Sequence, residues 1–599
     1  MRFALKKHAA LVLALGLSCS LLEAQRGGRG GGGNAGGAAA NTETDDGIPV
    51  TDALTISKCG TCHAKDAKGN LARLSWERAT PEGWEEAIKR MVRLNGLVIS
   101  PTDARSILKY LSTYHGLAPE EAKSVMYLPE HRMVDETNIP NDIVKGACVT
   151  CHAFGRPLSW RRSKHDWQLL ANLHIALYPQ AEAHFRRGGM GGGGGGAAAG
   201  RGAAAAAAAA ATPATSTQEP VEAAVDFLGT SAGLHTKEWA DWMPRMRAPK
   251  LAGKWLVSAH IAGRGKYFGE LTIEPGAAED EFKTKMKLTS VTDGSVLNRT
   301  GTGLVYAGYA WRGRSKSTVA GGAAPDDPNK EYREALWINP DQSKAEGRWF
   351  WGEYQEFGVD VTLQRISAEP LISVVDKSAL KIGSKAVKVR LIGENFPAQV
   401  AADDLDFGSG VKVTRIVSHK STEIVAEVDT AADAVSGKRD VFFKRTVLPS
   451  AIAVYDKVDY IRVSPDTSLA RLGSETHPKG YQQFEAIGYQ RGADGKLHTA
   501  DDIELGPVDV AWSVEEFMAV YGDDDKAFVG HLSPTALFTP ASDGPNPERK
   551  FGRNNYGDVW VVATSKNEKD KEGKPLTGRS YLVVAVPTYI RWDQPEVGQ

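Results

Sequence analysis

The sequence predicts a multidomain chain in which an all-α tandem region is followed by three all-β domains. Three observations predict it: two CxxCH pentapeptides near the front, an internal repeat of helical spacing around them, and a change to short alternating strands from about residue 250. At 599 residues the chain exceeds a single core and divides into roughly four domains of ordinary size.

The pentapeptides are Cys59-Gly60-Thr61-Cys62-His63 and Cys148-Val149-Thr150-Cys151-His152. Two thiols at this spacing add to porphyrin vinyl groups, and the histidine that follows becomes the proximal iron ligand, so each motif reads as the attachment site of a haem c. The chain has five cysteines, and the fifth, Cys19, lies in the leader. A dithiol redox pair or half of a zinc site is the alternative, but neither requires a histidine directly after both pairs. Two haem c groups are therefore expected, bound covalently through Cys59, Cys62, Cys148 and Cys151.

Residues 1–24 read as a signal peptide: Arg2, Lys6 and Lys7 precede a mostly apolar run from Leu11 to Leu22, and Leu22-Glu23-Ala24 offers a cleavage point before Gln25. A lipid on Cys19 is a rival, although Gly16-Leu17-Ser18 makes a poor lipobox. No later stretch reaches the length of a membrane span, and Lys+Arg 72 against Asp+Glu 73 leaves no basic excess for nucleic acid. An exported chain without a membrane span is expected.

Residues 25–47 are a Gly-rich linker, and a Gly/Ala tract at 188–211 interrupts the second repeat. After the first motif comes LSWERATPEGWEEAIKRM, and after the second LSWRRSKHDWQLLANLH; further on, Ile107 to Leu117 aligns with Ala224 to Leu234. Two tandem haem modules follow, within residues 48–236. Trp84, Ile88, Met91 and Val92 recur at helical spacing, as do Ile107, Leu108 and Leu111, which gives the expectation of a small all-helical cytochrome c pattern.

Met91 and His174 occupy one repeat position, each seven residues after a Trp, Trp84 or Trp167. Both types bind haem iron axially, so the reading is His63/Met91 for haem 1 and His152/His174 for haem 2. Against this stand a core-filling Met91 and a satisfied core His174; His115, Met126, His131, Met133 and His165 are rival ligands. The four tryptophans Trp76, Trp84, Trp160 and Trp167 read as packing, and Arg73, Arg78, Arg156 and Arg162 as haem-propionate partners or solvated surface.

Beyond residue 249 the period changes. Strands such as Trp255 to His260, Phe282 to Leu288 and Gly358 to Leu363 predict a β-barrel over 249–366. Val387 to Phe396 and the short strands after it predict an immunoglobulin-like sandwich over 370–456, and Asp558 to Ala563 with Tyr581 to Val586 a β-sandwich over 457–599. No catalytic constellation appears in these domains. Asp494, Asp501 and Asp502 read as a polar turn rather than a calcium loop, and Arg348-Trp349-Phe350-Trp351 as barrel interior or a partner face.

This order of motifs, with the Leu391-Ile392-Gly393-Glu394-Asn395-Phe396 segment in the second β domain, resembles the alpha subunit of quinohaemoprotein amine dehydrogenase. The resemblance implies a periplasmic heterotrimer with a β-propeller subunit and a small subunit holding a cysteine tryptophylquinone. Primary amines are deaminated at that quinone, and electrons leave through the haems to a soluble acceptor, a cytochrome c or a cupredoxin. This chain has no spare cysteine from which to build such a quinone, so catalytic residues are expected elsewhere. A free-standing dihaem carrier with β interaction domains is the competing reading. A dihaem peroxidase would need an open distal site, which Met91 and His174 oppose.

Overall fold

The computed structural model of the chain describes residues 45–125, 147–148, 154–187, 219–518 and 522–587. The leader, Cys19, Met126, His131, Met133, Cys151, His152 and the Gly/Ala tract lie outside the described residues.

Helix α1 (Ala53–Cys59) starts where the Asp52 carboxylate accepts the Thr55 N–H and delivers the first motif at its end. Helix α2 (Pro81–Asn95) is capped by Thr80, opened by Pro81 and stopped by Gly96 at φ 70°, a conformation glycine adopts without a Cβ penalty. Helix α3 (Pro101–Tyr114) is capped by Ser100 and buries Ile107, Leu108 and Leu111, and α4 (Pro119–Lys123) follows. In the second copy α5 (Gly155–Leu158) is short, α6 (Lys164–Leu177) is capped by Ser163, α7 is Pro179–Arg187, and α8 (Pro220–Ser231) buries Val221, Ala224, Val225 and Leu228. Helix α9 (Lys237–Trp242) leads out of the region.

The expectation of an all-α tandem dihaem domain does not hold. Strands β1 (Glu77–Ala79) and β2 (Trp160–Arg162) precede α2 and α6 and pair antiparallel, Glu77 with Arg162, Arg78 with Arg161 and Ala79 with Trp160. Beyond this region the described residues are dominated by strand. The physical reason is hydrogen-bond satisfaction. Three residues before each cap are extended, and their backbone groups pair across to the other copy, while the Ala79 N–H donates to His115 and the Arg162 N–H to Ala232 in their own copy. This register also corrects the alignment through the two LSW triplets. Counted from the caps Thr80 and Ser163, Arg78 is equivalent to Arg161, and that pair lies on a local two-fold relation between the copies.

Strands β3 (Gly253–Ile261), β4 (Gly265–Pro275), β5 (Glu281–Ser290), β6 (Val296–Tyr306), β7 (Ala310–Ser317), β8 (Tyr332–Ile338), β9 (Lys344–Trp351) and β10 (Phe357–Arg365) close an antiparallel barrel. Alternation dictates its inside: on β5 Phe282, Thr284, Met286 and Leu288 are buried while Lys283, Lys285 and Lys287 face out. Trp255, Trp311 and Trp349 are almost wholly buried, and Phe350 and Trp351 are buried too, so the Arg348–Trp351 cluster is not an exposed partner face.

The first haem-region copy and the barrel share one continuous apolar core, from Val50, Trp84 and Leu111 to Trp311 and Leu363. Polar ties cross the same seam. Arg312 pairs with Glu82, with Nη2 3.1 Å from Oε2, both side chains nearly unexposed. The Tyr309 hydroxyl donates to the Leu117 carbonyl at 2.8 Å and Trp337 Nε1 to Pro119 at 2.7 Å. The second copy has its own smaller core around Phe154, Trp167, Phe185 and Leu228.

Residues 371–455 form two four-stranded sheets face to face around Val389, Phe407, Ile424 and Phe443. The last region holds a four-stranded and two three-stranded sheets around Phe484, Phe538, Val561 and Leu582. There Asp501 and Asp502 accept the backbone N–H groups of Asp494, Gly492 and Thr499, the hydrogen-bonding of a tight polar turn.

Candidate functional site

The first CxxCH segment is a turn. The N–H groups of Cys62 and His63 both donate to the Cys59 carbonyl, at 3.1 and 2.9 Å. Cys59 and Cys62 are free thiols. Burial, then the charge of Asp52, pushes the Cys59 thiol up to about 11, so this sulfur is a protonated thiol at neutral pH rather than a reactive thiolate. A loop locked by Asp66, which accepts from Lys68 and Asn70, returns the chain so that the Ala72 carbonyl stands 2.8 Å from His63 Nδ1. A ring whose Nδ1–H is held by a carbonyl presents Nε2 as its lone-pair nitrogen, the arrangement found in metal-ligating histidines.

Met91 and His174 have matching places. Each stands eleven residues after its helix cap, Thr80 or Ser163, in or next to the last turn. The carbonyl of each closes the helix end, Met91 accepting from Gly96 and Leu97 and His174 from Tyr178. Both side chains are half-buried. His174 Nδ1 lies 2.9 Å from the Leu170 carbonyl, which leaves Nε2 without a hydrogen bond among the described residues, and Tyr178 and Phe185 flank the ring. The surfaces next to both residues are unusually apolar for exposed helix: Val92, Leu94 and Val98 by Met91, and Leu173, Ile175, Leu177 and Tyr178 by His174.

The donor set of the first motif fits a covalently attached haem. Two unoxidised thiols three residues apart and an imidazole with Nδ1 anchored supply the bonds such a group needs, and the following helix carries the Met91 thioether beside exposed apolar residues. Of the second motif only Cys148 is among the described residues.

His115 takes another course. It is fully buried, edge-on to Trp84 and tilted against Tyr110, and neither ring nitrogen has a hydrogen-bond partner among the described residues. Burial pushes it down to about 4, so it is a neutral core residue at physiological pH. Its carbonyl accepts from Trp84 Nε1 at 2.8 Å, as the equivalent Ala232 carbonyl accepts from Trp167 Nε1 at 3.1 Å. His165 is half-buried beside Asp166.

The arginines singled out in the sequence are committed to protein carboxylates. Arg78 is bidentate to Glu121 at 2.8 and 3.1 Å and donates to the Gly116 and Leu234 carbonyls. Arg161, its equivalent, reaches the same carboxylate at 3.1 Å. Burial opposes the Glu121 charge, but the bonds and charges of Arg78 and Arg161 hold it down at about 2. Arg156 is bidentate to Glu86, and Arg73 and Arg162 share Asp166 and Glu77. Sequence reasoning missed Glu77, Glu82 and Glu121. The available signal was the cap spacing, which places Arg78 and Arg161 at one repeat position.

Four family models match the chain: "Quinohemoprotein amine dehydrogenase A, alpha subunit, haem binding" over residues 50–187, and domains II, III and IV of the same alpha subunit over 248–366, 369–456 and 461–597. No curated protein matches. Among solved structures, a redesigned β-barrel is 16% identical and covers 20% of this chain and 92% of that chain, with a TM-score of 0.16. The tryptamine complex of the amine binding protein of Rhodnius prolixus is 8% identical over 19% of this chain and 63% of that one, at 0.15, and human protocadherin-24 EC1-2 is 12% identical over 38% and 98%, at 0.15. Scores this low decide nothing about fold or function. No helix among the described residues is long and apolar enough to cross a membrane. With the four domain matches covering most of its length, the chain belongs to the family of quinohemoprotein amine dehydrogenase alpha subunits, as a haem-binding subunit of an oxidoreductase that associates with other subunits.

Proposed function

We propose that the chain is the dihaem electron-transfer subunit of a periplasmic amine dehydrogenase. Its domains are a signal peptide at 1–24, a linker at 25–47, a dihaem-binding region at 48–236, and β domains at 249–366, 370–456 and 457–599. The partners are a β-propeller subunit, a small subunit bearing cysteine tryptophylquinone, and a soluble cytochrome c or cupredoxin as acceptor. The bound haems supply one-electron chemistry between the partner's quinone and that acceptor.

The observation that carries this reading is the first motif: free Cys59 and Cys62 thiols followed by His63 with its Nδ1 held by Ala72. In it Cys59, Cys62 and His63, with Met91, hold one haem, and Cys148, Cys151, His152 and His174 the other. The residues of the chain orient and shield. The Ala72 and Leu170 carbonyls fix which nitrogen of His63 and His174 is free, the capped helices place Met91 and His174, and the shared core holds the first copy against the barrel.

The test is covalent attachment. Denatured protein retains two haems per chain through acid-acetone extraction, and Cys59→Ala with Cys62→Ala retains one. Two haems in that double variant would refute the assignment. The free-standing carrier reading predicts that the purified chain brings down no quinone-staining subunit from its native source.

A further inference from the structure

A carboxylate pair lies where the two copies meet. Glu77 on β1 and Asp166 in the first turn of α6 both accept from Arg162 Nη1. Arg73 Nε donates to Asp166 Oδ1 at 2.6 Å, and its Nη2 is 3.8 Å from Glu77 Oε1. The Glu77, Asp166 and Arg162 side chains are 12%, 2% and 4% exposed, whereas Arg73, at 39%, opens the cluster to solvent. The other charged groups that face it are Arg90 on α2 with Glu86 and Arg156 around it, and the Trp160 and Trp167 rings cover the Arg162 guanidinium.

Two nearly buried carboxylates that accept from the same guanidinium nitrogen do not both stay ionised at low cost, even with Arg73 on Asp166 as a second cation. Burial and the Asp166 charge push Glu77 up to about 7 against the pull of Arg162 and Arg73. The pair is also well placed. Asp166 precedes His174 by eight residues on one helix, about 12 Å along its axis, and Glu77 stands three residues before the cap of the helix that carries Met91.

We infer that the Glu77/Asp166 pair is a proton-binding site coupled to the redox state of the haem region. One electron delivered to a haem by the external reductant is matched by one proton taken from solvent, converting one carboxylate of the pair to a carboxylic acid, so that the charge of haem and pair together is unchanged. The driving force is electrostatic: negative charge added in the haem region, little screened because the pair is buried, raises the proton affinity of a weakly solvated carboxylate. This rests on the dihaem reading above.

The experiment uses the full chain with its haems counted first by pyridine haemochromogen, followed by spectroelectrochemical titration from about pH 6 to 8, the range around the raised carboxyl. In the wild type at least one midpoint potential falls as pH rises through this range; Glu77→Gln makes it flat, and Glu77→Asp restores the slope. A flat wild-type profile, or a Glu77→Gln slope equal to wild type, overturns the inference. If Glu77→Gln does not fold, infrared difference spectra of wild type decide: a protonated-carboxyl band that grows on reduction and shifts in heavy water supports the site, and its absence overturns it. Fewer than two haems overturns the dihaem reading itself, whereas two haems with a flat wild-type profile overturns only the coupling.

Discussion

The two copies of the haem-region repeat have the same caps, the same Trp-to-carbonyl bond and the same position for Met91 and His174, yet they are tied into the molecule differently. The first copy shares its core with the barrel and adds the buried Arg312–Glu82 pair. The second closes on its own smaller core and reaches the first through β2, Arg161 and the half-buried Arg156–Glu86 pair. A repeat therefore sets what a module is, while the surface it meets decides how firmly it is held. Charged side chains that are solvated in one setting become buried pairs in another, where losing one partner is costly.

The largest expected effect breaks the tie of the first copy. Arg312→Ala leaves Glu82 buried without its cation and should lower stability by about 3–5 kcal/mol, read from denaturant unfolding. Replacing both partners with leucine should cost much less. Arg156→Ala, at the half-buried edge of the second copy, should cost only about 1 kcal/mol. Similar losses for Arg312→Ala and Arg156→Ala would remove the contrast between the copies.

Next in size is the carboxylate that both copies share. Glu121 is held at about 2, below its ordinary value of 4.5, by Arg78 and Arg161 against burial. A depressed carboxyl gives stability that is complete above pH 4.5 and is lost as pH falls toward 2. The loss is on the order of 3 kcal/mol. Glu121→Gln should flatten stability across this acid range; a variant with wild-type acid sensitivity would place the dependence elsewhere.

The smallest effect sharpens the comparison. Thr80→Ala and Ser163→Ala each remove a cap bond worth about 1 kcal/mol. Because the first copy shares the barrel core, Thr80→Ala should shift global unfolding. Ser163→Ala should increase amide exchange mainly in α6 to α8. Equal exchange patterns in both variants would show that the copies unfold together.

Much of the local structure was legible in the chain. The alternating lysines of β5 mark its outer face, Pro81 marks the start of α2, and the two Trp residues mark the repeat. The all-helical expectation failed at Glu77–Ala79 and Trp160–Arg162, because three residues cannot reveal whether they continue a loop or pair with a strand more than eighty residues away. The LSW triplets misled the alignment for a related reason: Leu74–Trp76 forms a 3-10 turn, whereas Trp160 opens β2. At the candidate site, the thiols and the His63 ring belong to a contiguous motif and were readable, but the Ala72 carbonyl that orients the ring was not.

By itself the sequence determined the features that depend on nearest neighbours along the chain: thiol and imidazole spacing, helix caps, strand alternation and the repeat position shared by Met91 and His174. Only the tertiary structure decided that β1 pairs with β2, that Arg78 and Arg161 converge on Glu121, that Glu82 meets Arg312, and that Glu77 and Asp166 share one guanidinium. The reason is physical. Local spacing is set by covalent geometry and short-range hydrogen bonds, whereas the charge state and partner of a buried side chain depend on which distant groups exclude water from it.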